Sequence, residues 1–398
     1  MGKVRPMKKI MVLGTGLQGR AALYDLLWQA DVQVVAVDLD VAPVAALLAQ
    51  WGASNIACVA ADARTPAGII PLLEPGMVVI HLLPPEFRPS LARLAVEHGC
   101  HFIDASYSHP DFAALHDLAL ANNVAILPEF GLDPGIDLVL AARAVATMDE
   151  VHELHSYGAG IPTPEAAHNP LHYKISWSWD GVLDSYHRPA RLLRDGAVVD
   201  VPPDQLFAPE NVHHLEVEGV GRLEAYPNGD AIPYLAPLGL AGTVQQAGRY
   251  SMRWPGHCAF WYPLVQSGLL GEEPLVVGGQ RVVPRQLIHD LLAPQLQYGP
   301  EEADLAIVRV DVRGVQQGER RRLVYQVIDQ RDPVTGFLAM QRTVGYTASI
   351  GALMLLNGDI TARGLLSPLQ DVPAGVLLAE LEQRDIYVRQ LRLPWPDG

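Results

Sequence analysis

Two features of the sequence have residue types and spacings that suit chemistry on a bound dinucleotide. Residues 14–19 read GTGLQG and fit the pattern GxGxxG with Gly14, Gly16 and Gly19. Glycines at these positions permit a tight turn and let backbone N–H groups approach a pyrophosphate at a helix N-terminus. The turn follows a strand-like run and opens a helical one, and the second strand-like run ends in Asp38, 19 residues beyond Gly19. This context predicts a nucleotide-binding turn rather than a purely structural one.

Asp38 also bears on the choice of dinucleotide. A carboxylate there can accept hydrogen bonds from both ribose hydroxyls of NAD, whereas it would repel the 2′-phosphate of NADP by roughly 4 kcal/mol at about 4 Å. No Lys or Arg occurs from Asp31 through Ala63 to offset that repulsion. We therefore expect NAD as the cofactor. The alternative is that Asp38 caps the helix that follows it.

Further polar residues follow later strand-like runs. Ser106 and Asp133 come just after the ends of two successive runs, and ligands of open parallel sheets bind beyond the carboxyl ends of strands. Asp133 precedes Pro134 and Gly135, where its carboxylate could hold a substrate ammonium group or order a water molecule. It could also cap the helix predicted over residues 136–148, and the two roles are compatible.

The elements that position these residues predict an α/β fold. Over residues 1–135, continuous apolar strand-like runs alternate with helical runs, which indicates a Rossmann doubly wound parallel sheet covered on both faces. Over residues 136–342, Pro, Gly and aromatic residues separate strand-like pieces, and 305–315 with 321–329 reads as an antiparallel hairpin. We expect an inserted α+β substrate or dimerisation domain here. Residues 343–398 predict C-terminal helices that return to the Rossmann domain.

The composition excludes several classes of protein. Hydrophobic residues make up 49% and charged residues 18% of 398 residues, which excludes intrinsic disorder. The net charge of −15 argues against nucleic acid or a membrane surface as a partner, since no basic run exceeds the three arginines at 320–322. The three cysteines lie far apart and no apolar run is long enough to span a bilayer. We expect a soluble cytoplasmic protein.

Four longer segments carry a family resemblance. They are GLDPGID at 131–137, SYGAGIPTPEAAHNPLHYKISWSWDGVL at 156–183, RWPGH at 253–257 and RTVGYTASIGALMLLNGDI at 342–360. In this order they resemble signature segments of the saccharopine dehydrogenase family, specifically its glutamate-forming type. The resemblance implies a Rossmann domain, an α+β substrate domain, usually a homodimer, and NAD(P)-dependent oxidation at the C–N bond of saccharopine to give glutamate and aminoadipate semialdehyde.

The resemblance also implies site residues. Those expected to line the dinucleotide are Thr15, Gly16, Leu17, Gln18, Asp62, Ala63, Leu83, Ala105, Ser106 and Ser178. Those expected to line the substrate are Ser106, Tyr107, Asp133, Ser251, Met252 and Arg253.

The proposed reaction needs proton-handling groups, because the amine must be neutral to lose hydride and water must be activated to attack the imine. The candidates are Asp133, Tyr107 and Lys174, although Lys174 could equally be an exposed surface lysine. Arg253 is the candidate for binding an α-carboxylate, and Asp133 for binding the amine. No spacing of His, Cys, Asp or Glu suggests a metal, so we expect none.

One departure from the family leaves the substrate open. Where the family has an arginine that binds a substrate carboxylate, this chain has Gly229. The loss of that contact makes an L-lysine 6-dehydrogenase a live alternative, and a condensing reductase similar to carboxynorspermidine synthase is another. A non-catalytic NAD-sensing protein on the same fold is a third, against which the polar residues Ser106, Tyr107, Asp133 and Arg253 argue.

Overall fold

The computed structural model describes residues 7–393 and 395. The strands of this part of the chain, numbered in order, are β1 (Lys8–Leu13), β2 (Val32–Asp38), β3 (Ile56–Ala60), β4 (Val78–His81), β5 (His101–Asp104), β6 (Ala125–Leu127), β7 (Glu150–Pro162), β8 (Ala190–Arg194), β9 (Ala197–Val201), β10 (His213–Val217), β11 (Gly221–Pro227), β12 (Gln246–Arg253), β13 (Leu275–Val277), β14 (Gln280–Val282), β15 (Asp304–Gln316), β16 (Glu319–Gln330), β17 (Gly364–Leu365) and β18 (Val388–Leu393). The α-helices are α1 (Leu17–Leu27), α2 (Ala42–Gln50), α3 (Pro66–Ile69), α4 (Arg88–Glu97), α5 (His116–Ala121), α6 (Ile136–Val145), α7 (Trp179–Ser185), α8 (His257–Gln266), α9 (Pro284–Leu292), α10 (Ala339–Asn357) and α11 (Ala374–Glu382).

The described chain divides into two compact units. The first contains residues up to Val139 together with Gln341–Tyr387, and the second contains Leu140–Met340 together with the residues from Val388 onward. Two of the three boundaries fall inside helices α6 and α10, and the third lies at the start of β18. No helix of the described residues is long and apolar enough to cross a membrane.

The first unit is built on a fully parallel sheet of seven strands in the order β17-β6-β5-β4-β1-β2-β3. Strands β1 and β4 are buried over most of their length, as a parallel sheet covered on both faces requires. The predicted doubly wound α/β fold is confirmed. Because all seven strands run the same way, their carboxyl ends share one edge, and the residues just beyond those ends can form a site.

The second unit is built on a mixed nine-stranded sheet with a main path β10-β11-β12-β7-β15-β16-β18, to which β8 and β9 are attached at β12. The predicted hairpin corresponds to β15 and β16, which pair from Leu305↔Gln330 to Gln316↔Glu319. The core of the second unit is rich in aromatic residues, including Tyr173, Tyr186, Tyr226 and Trp261.

The prediction that residues 343–398 form helices returning to the Rossmann domain is wrong for the last strand. Residues Val388–Leu393 form β18, which pairs antiparallel with β16 and so belongs to the second unit. Only Leu391, Arg392 and Leu393 alternate apolar and charged residues, and three residues are too few to distinguish a strand from a helix.

The helix α10 begins on a buried carboxylate. Asp304 is fully buried, and its two oxygens accept hydrogen bonds from the backbone N–H groups of Ala339 at 2.6 Å and Met340 at 3.0 Å. Burial raises the pKa of Asp304 to about 6, although the two hydrogen bonds act in the opposite direction. The folded state therefore binds this proton more tightly than the unfolded state does.

The raised pKa predicts a pH-dependent contribution to stability. Between the ordinary pKa near 4 and the folded value of about 6, the contribution of Asp304 falls as pH rises, because the unfolded state releases the proton first. The free energy of unfolding of the wild type relative to Asp304→Asn should decrease by about 2 kcal/mol between pH 4.5 and 7.5. Denaturant titrations across this range measure the difference. Asp200→Asn, at an exposed position, should give no such trend, and a difference that stays constant or grows with pH for Asp304→Asn would contradict the assignment.

Candidate functional site

The glycine-rich turn between β1 and α1 has the geometry that a dinucleotide needs. Gly14 has φ of +95°, and a Cβ there would lie 2.6 Å from the carbonyl oxygen of Leu82. A Cβ on Gly19 would lie 2.0 Å from the carbonyl oxygen of Gly14, so only glycine lets the helix begin this close to the turn. Gly16 is exposed and faces open space, which leaves its backbone approachable. The turn therefore fits a pyrophosphate at the N-terminus of α1.

Asp38 is engaged by the turn itself. One carboxylate oxygen accepts hydrogen bonds from the Thr15 backbone N–H at 2.7 Å and the Thr15 hydroxyl at 3.0 Å. The other oxygen accepts from the backbone N–H of Leu39 at 2.7 Å. The alternative role for Asp38, an N-cap of the following helix, is wrong, since α2 begins at Ala42 and its N-cap is Val41. Asp38 instead ties the end of β2 to the nucleotide-binding turn.

Two arginines lie near this end of the sheet, on segments outside the range from Asp31 to Ala63. The Nε of Arg20 donates to the carbonyl oxygen of Thr15 at 3.3 Å, so Arg20 and Asp38 both bond to the same residue. Arg64 pairs with Asp62 beyond β3, with Nη2 2.8 Å from Oδ2, and this hydrogen bond lowers the pKa of Asp62. Arg20 thus bonds to the nucleotide-binding turn, and the charge of Arg64 is paired with Asp62.

The residues after β4 and β5 lie at the edge where β4, β5 and β1 end side by side. Leu83 and Ala105 are half-buried, Ser106 is exposed and Tyr107 is half-buried. A continuous edge thus carries these residues, the glycine-rich turn, and Asp62 with Ala63 after β3. Their assignment to cofactor or substrate stays a prediction.

Asp133 lies in a tightly folded segment after β6. A Cβ on Gly135 would lie 2.1 Å from the carbonyl oxygen of Gly131, and the N–H of Gly135 donates to Asp137 at 2.8 Å. The fully buried Asp137 thus takes the local backbone contact at the start of α6, while Asp133 remains half-buried. This leaves the predicted role of Asp133 in binding an amine or a water molecule compatible with the local structure.

In the second unit, Arg253 at the end of β12 is a buried cation among aromatic rings. It is 5% exposed, and its guanidinium carbon lies 5.2 Å from the ring centre of Tyr173 and 5.7 Å from that of Tyr226. Its Nη1 donates to the Met252 carbonyl oxygen at 2.8 Å. No carboxylate of residues 7–393 and 395 forms an ion pair with it. Its cross-strand neighbour Glu224 accepts instead from backbone N–H groups at the start of α8. A buried guanidinium that forms no ion pair within the described residues is suited to bind an anionic group.

The neighbouring His257 has a structural role. It is 1% exposed, and its Nε2 lies 2.8 Å from the hydroxyl of Tyr186. Burial, with a smaller effect of Arg253, lowers the pKa of His257 and keeps its imidazole neutral. His257 therefore forms local contacts within the core of the second unit.

Lys174 is not a surface lysine, so that alternative is wrong. The residue is 8% exposed, and its amine donates to the carboxylate of Glu302 and to the carbonyl oxygen of Gln297 at 3.2 Å. The backbone N–H of Gly299 and the amine of Lys174 lower the pKa of Glu302. These contacts tie the segment around 297–302 to the signature segment, which suits a positioning role better than proton transfer.

Three other predicted residues of the second unit have clear local settings. Ser178 is exposed and caps α7, since its Oγ accepts from the backbone N–H of Gly181 at 3.1 Å. Ser251 and Met252 are buried in β12 beside Arg253. That these three residues contact cofactor or substrate stays a prediction.

Gly229 has φ of +77°, a conformation that an arginine rarely adopts. Two arginines lie close by: Arg188 donates to Asn228 at 2.9 Å, and Arg191 forms an ion pair with Asp230. The family's arginine is therefore absent at this position. Guanidinium groups from Arg188 and Arg191 nevertheless bond to its two chain neighbours, Asn228 and Asp230.

Three residues with contacts at this edge have no role that was predicted from the sequence: Arg20, Arg88 and Asp104. Asp104 had a usable signal, because it is a charged residue that directly follows two apolar residues, Phe102 and Ile103, in a buried strand. Arg20 bonds back to Thr15 across the glycine-rich turn, and Arg88 bonds to Asp104 and Tyr107, which lie 16 and 19 residues later. The spacing of residues in the sequence does not indicate contacts of these kinds. Among the described residues, no group of three or more His, Cys, Asp or Glu side chains is placed to hold a metal ion.

A glycine-rich turn at the carboxyl end of a parallel strand, followed directly by a helix, defines the class of dinucleotide-dependent enzymes built on a Rossmann domain. Residues 10–127 match the saccharopine dehydrogenase NADP binding domain, and residues 131–386 match the saccharopine dehydrogenase C-terminal domain. The chain belongs to the saccharopine dehydrogenase family, a family of oxidoreductases, as its signature segments predicted.

Relatives and solved structures agree with this assignment. The chain is 27% identical over 442 residues to the mitochondrial alpha-aminoadipic semialdehyde synthase of Mus musculus, covering 95% of this chain and 47% of that protein. The chain thus spans about half the length of that relative. It is 25% identical to the saccharopine dehydrogenase (NADP(+), L-glutamate-forming) of Saccharomyces cerevisiae, covering 96% of this chain and 99% of that protein.

Two solved structures share the fold. The apo saccharopine dehydrogenase (L-Glu forming) of Saccharomyces cerevisiae superimposes with a TM-score of 0.84 at 22% identity, covering 97% of this chain and all of that one. The homospermidine synthase of Legionella pneumophila, solved in complex with NAD, has a TM-score of 0.64 at 12% identity, covering 98% of this chain and 92% of that one.

The expectation of NAD as cofactor is wrong. The matching family domain is an NADP binding domain, and the yeast relative is named for NADP(+). The expectation rested on a carboxylate of Asp38 that is available to the ribose hydroxyls. In the structure both oxygens of this carboxylate already accept hydrogen bonds, one from Thr15 and the other from Leu39.

The contacts of Asp38 predict the effect of removing its carboxylate. Asp38→Ala should weaken NADPH binding by about tenfold, because Thr15 loses two hydrogen bonds that hold the turn. Titration of NADPH fluorescence measures the dissociation constant. Asp40→Ala, at an exposed position two residues later, serves as the control and should leave it unchanged. Tighter NADPH binding by Asp38→Ala would show instead that the carboxylate repels the 2′-phosphate.

Proposed function

We propose that this chain is an NADP-dependent oxidoreductase that acts on the CH–NH bond of a lysine-derived amino acid, with saccharopine as the lead substrate. The observation that carries the proposal is the pairing of two features in one chain of this family. The first unit has a turn fitted to a dinucleotide, and the second has a buried arginine available to an anionic group. Glutamate and aminoadipate semialdehyde would be the products.

When bound, the nicotinamide would accept the hydride from the carbon that carries the secondary amine. The residues of the chain then have to bind the substrate and handle protons. We assign the substrate carboxylate to Arg253, because a guanidinium binds a carboxylate through two parallel hydrogen bonds. We assign the amine, or the water that attacks the imine, to Asp133, with Tyr107 as a second proton-handling group. Lys174 we place in a supporting role, since Glu302 and Gln297 hold its amine.

An L-lysine 6-dehydrogenase is the second candidate, and Gly229 is the observation that favours it. Lysine has a single carboxylate, so it needs fewer guanidinium contacts than saccharopine, and the family's arginine is missing at this position. Against it, Arg188 and Arg191 bond to Asn228 and Asp230, the two chain neighbours of Gly229, and so place guanidinium groups near this position.

We also retain a homodimer in the cytoplasm as a proposal. The hairpin β13–β14 supports an interface, because Leu275, Val276 and Val277 are all more than half exposed.

The free cysteines Cys58, Cys100 and Cys258 support a reducing compartment.

The proposed reaction predicts the outcome of an activity measurement. The purified protein should reduce NADP with saccharopine, as followed by the absorbance of NADPH, and more slowly with NAD. Lysine in place of saccharopine tests the second candidate in the same assay. Turnover with lysine alone would favour the 6-dehydrogenase, and no turnover with either amine would refute the proposed function.

The role of Arg253 predicts that its removal weakens substrate binding and leaves cofactor binding unchanged. Arg253→Gln should raise the KM for saccharopine by about 10- to 100-fold, the equivalent of a lost charge-assisted contact, while the dissociation constant for NADPH stays the same. Arg222→Gln, at an exposed position on the neighbouring strand β11, is the matched control and should change neither constant. An unchanged KM in a folded Arg253→Gln protein would exclude the arginine from substrate binding.

A further inference from the structure

The ends of β4 and β5 carry a buried polar pair that the reaction described above does not use. His81 is the last residue of β4 and Asp104 the last of β5, and the two are register partners in the parallel sheet. Each side chain is 1% exposed, and His81 Nδ1 lies 3.3 Å from Asp104 Oδ1. The pair thus lies at the edge of the sheet where the predicted cofactor and substrate residues begin.

Arg88, the first residue of α4, connects this pair to the loops on either side. Its Nη1 donates to Asp104 Oδ2 at 3.2 Å and to the carbonyl oxygen of Tyr107 at 2.6 Å. Its Nε donates to the carbonyl oxygen of Pro85 at 3.2 Å. One guanidinium group, only 13% exposed, therefore joins the loop after β4, the end of β5 and the loop after β5. We call the set His81, Arg88 and Asp104 the Arg88 clasp.

The energetics indicate that the clasp contributes geometry more than stability. Burying an ion pair costs desolvation free energy, and apolar side chains of similar volume are often at least as stabilising. What a guanidinium can do and an apolar residue cannot is hold three acceptors at fixed directions. Two of those acceptors are backbone carbonyls of loops, so the clasp restricts the paths of both loops rather than filling space.

We propose that Arg88 and Asp104 are positioning residues of the active site. The loop after β4 carries Leu83, and the loop after β5 carries Ala105, Ser106 and Tyr107. By holding the Tyr107 carbonyl against Asp104, the clasp sets the direction in which Ser106 and the Tyr107 side chain leave the strand. This inference rests on the proposed function, because it takes Ser106 and Tyr107 to contact the reactants.

The first test removes the guanidinium and then returns it. Arg88→Ala should lower kcat/KM for saccharopine by about 10- to 100-fold, as a misplaced positioning loop does, with a smaller effect on the dissociation constant for NADPH. Guanidinium chloride at low millimolar concentration, well below denaturing levels, should restore a substantial part of the lost activity. Arg93→Ala, at an exposed position on the same helix, is the matched control and should show neither the loss nor the rescue.

Conservative variants keep the test decisive if Arg88→Ala does not fold. Arg88→Lys retains the charge but cannot reach three acceptors in a planar arrangement, so it should show a similar loss of kcat/KM. Asp104→Asn should show a loss in the same direction, and the double variant Arg88→Lys/Asp104→Asn should lose less than the two single variants combined. Wild-type kcat/KM in folded Arg88→Lys, or a loss in Arg88→Ala that guanidinium leaves unchanged, would overturn the proposal.

Hydrogen exchange separates failure of this inference from failure of the proposed function, because it requires no turnover. Peptides covering residues 104–109 should exchange faster in Arg88→Lys than in the wild type, while peptides from β1 and β2 should not change. If no amine is turned over but this difference is present, the clasp holds the loop and the proposed function fails. If amines are turned over and neither the exchange nor kcat/KM changes, the clasp has no positioning role.

Discussion

The close approach of three backbone segments at Gly14, Gly19 and Gly345 is the constraint on which the first unit depends. A Cβ on Gly19 would lie 2.0 Å from the Gly14 carbonyl oxygen, and one on Gly345 would lie 2.5 Å from the Gln18 carbonyl oxygen. Without side chains, α1 can begin directly on the turn, and α10 can lie directly on α1. The N-terminus of α1 is thereby fixed relative to β1, and the nucleotide-binding turn has only one path between them.

Polar contacts then fix the loops that this packing leaves open. Asp38 ties the turn to β2, Arg88 joins the loops after β4 and β5, and Asp137 holds the segment that carries Asp133. Asp38 and Arg88 bond to the backbone of a neighbouring loop, and Asp137 bonds to the backbone of its own segment. The candidate site is therefore held by contacts between loops, while the sheet beneath supplies a rigid base.

Most of the first unit could be predicted from the sequence, because its signals are local. The strand-like runs, the glycine spacing and the helical runs each depend on a few consecutive residues, and the observed β1, α1 and β2 follow them closely. The contacts of Asp38 could not be predicted in the same way, since spacing indicates where a carboxylate lies but not which donors reach it first. The wrong expectation of NAD as cofactor followed, because the donors that bond to Asp38 were not known from the sequence.

The second unit was harder to predict because several of its contacts join residues that are distant in sequence. The hairpin of β15 and β16 has a short turn and alternating residues, so it was visible, whereas β18 pairs with a strand about 60 positions earlier and has no local partner. Lys174 was ambiguous because its burial depends on Glu302, which is distant in sequence. Long-range pairing of this kind leaves no pattern in a short window of residues.

The division of the chain also determines the order in which its parts can be completed during synthesis. The ribosome makes β1 to β6 first, but β17 and most of α10 belong to the same unit and emerge only after nearly all of the second unit. Until then, the surface of α1 that Gly345 covers has no helix against it, and the parallel sheet lacks its edge strand. The nucleotide-binding unit is therefore among the last parts of the nascent protein to close, and until it does its exposed apolar surface is open to chaperones and to misassembly.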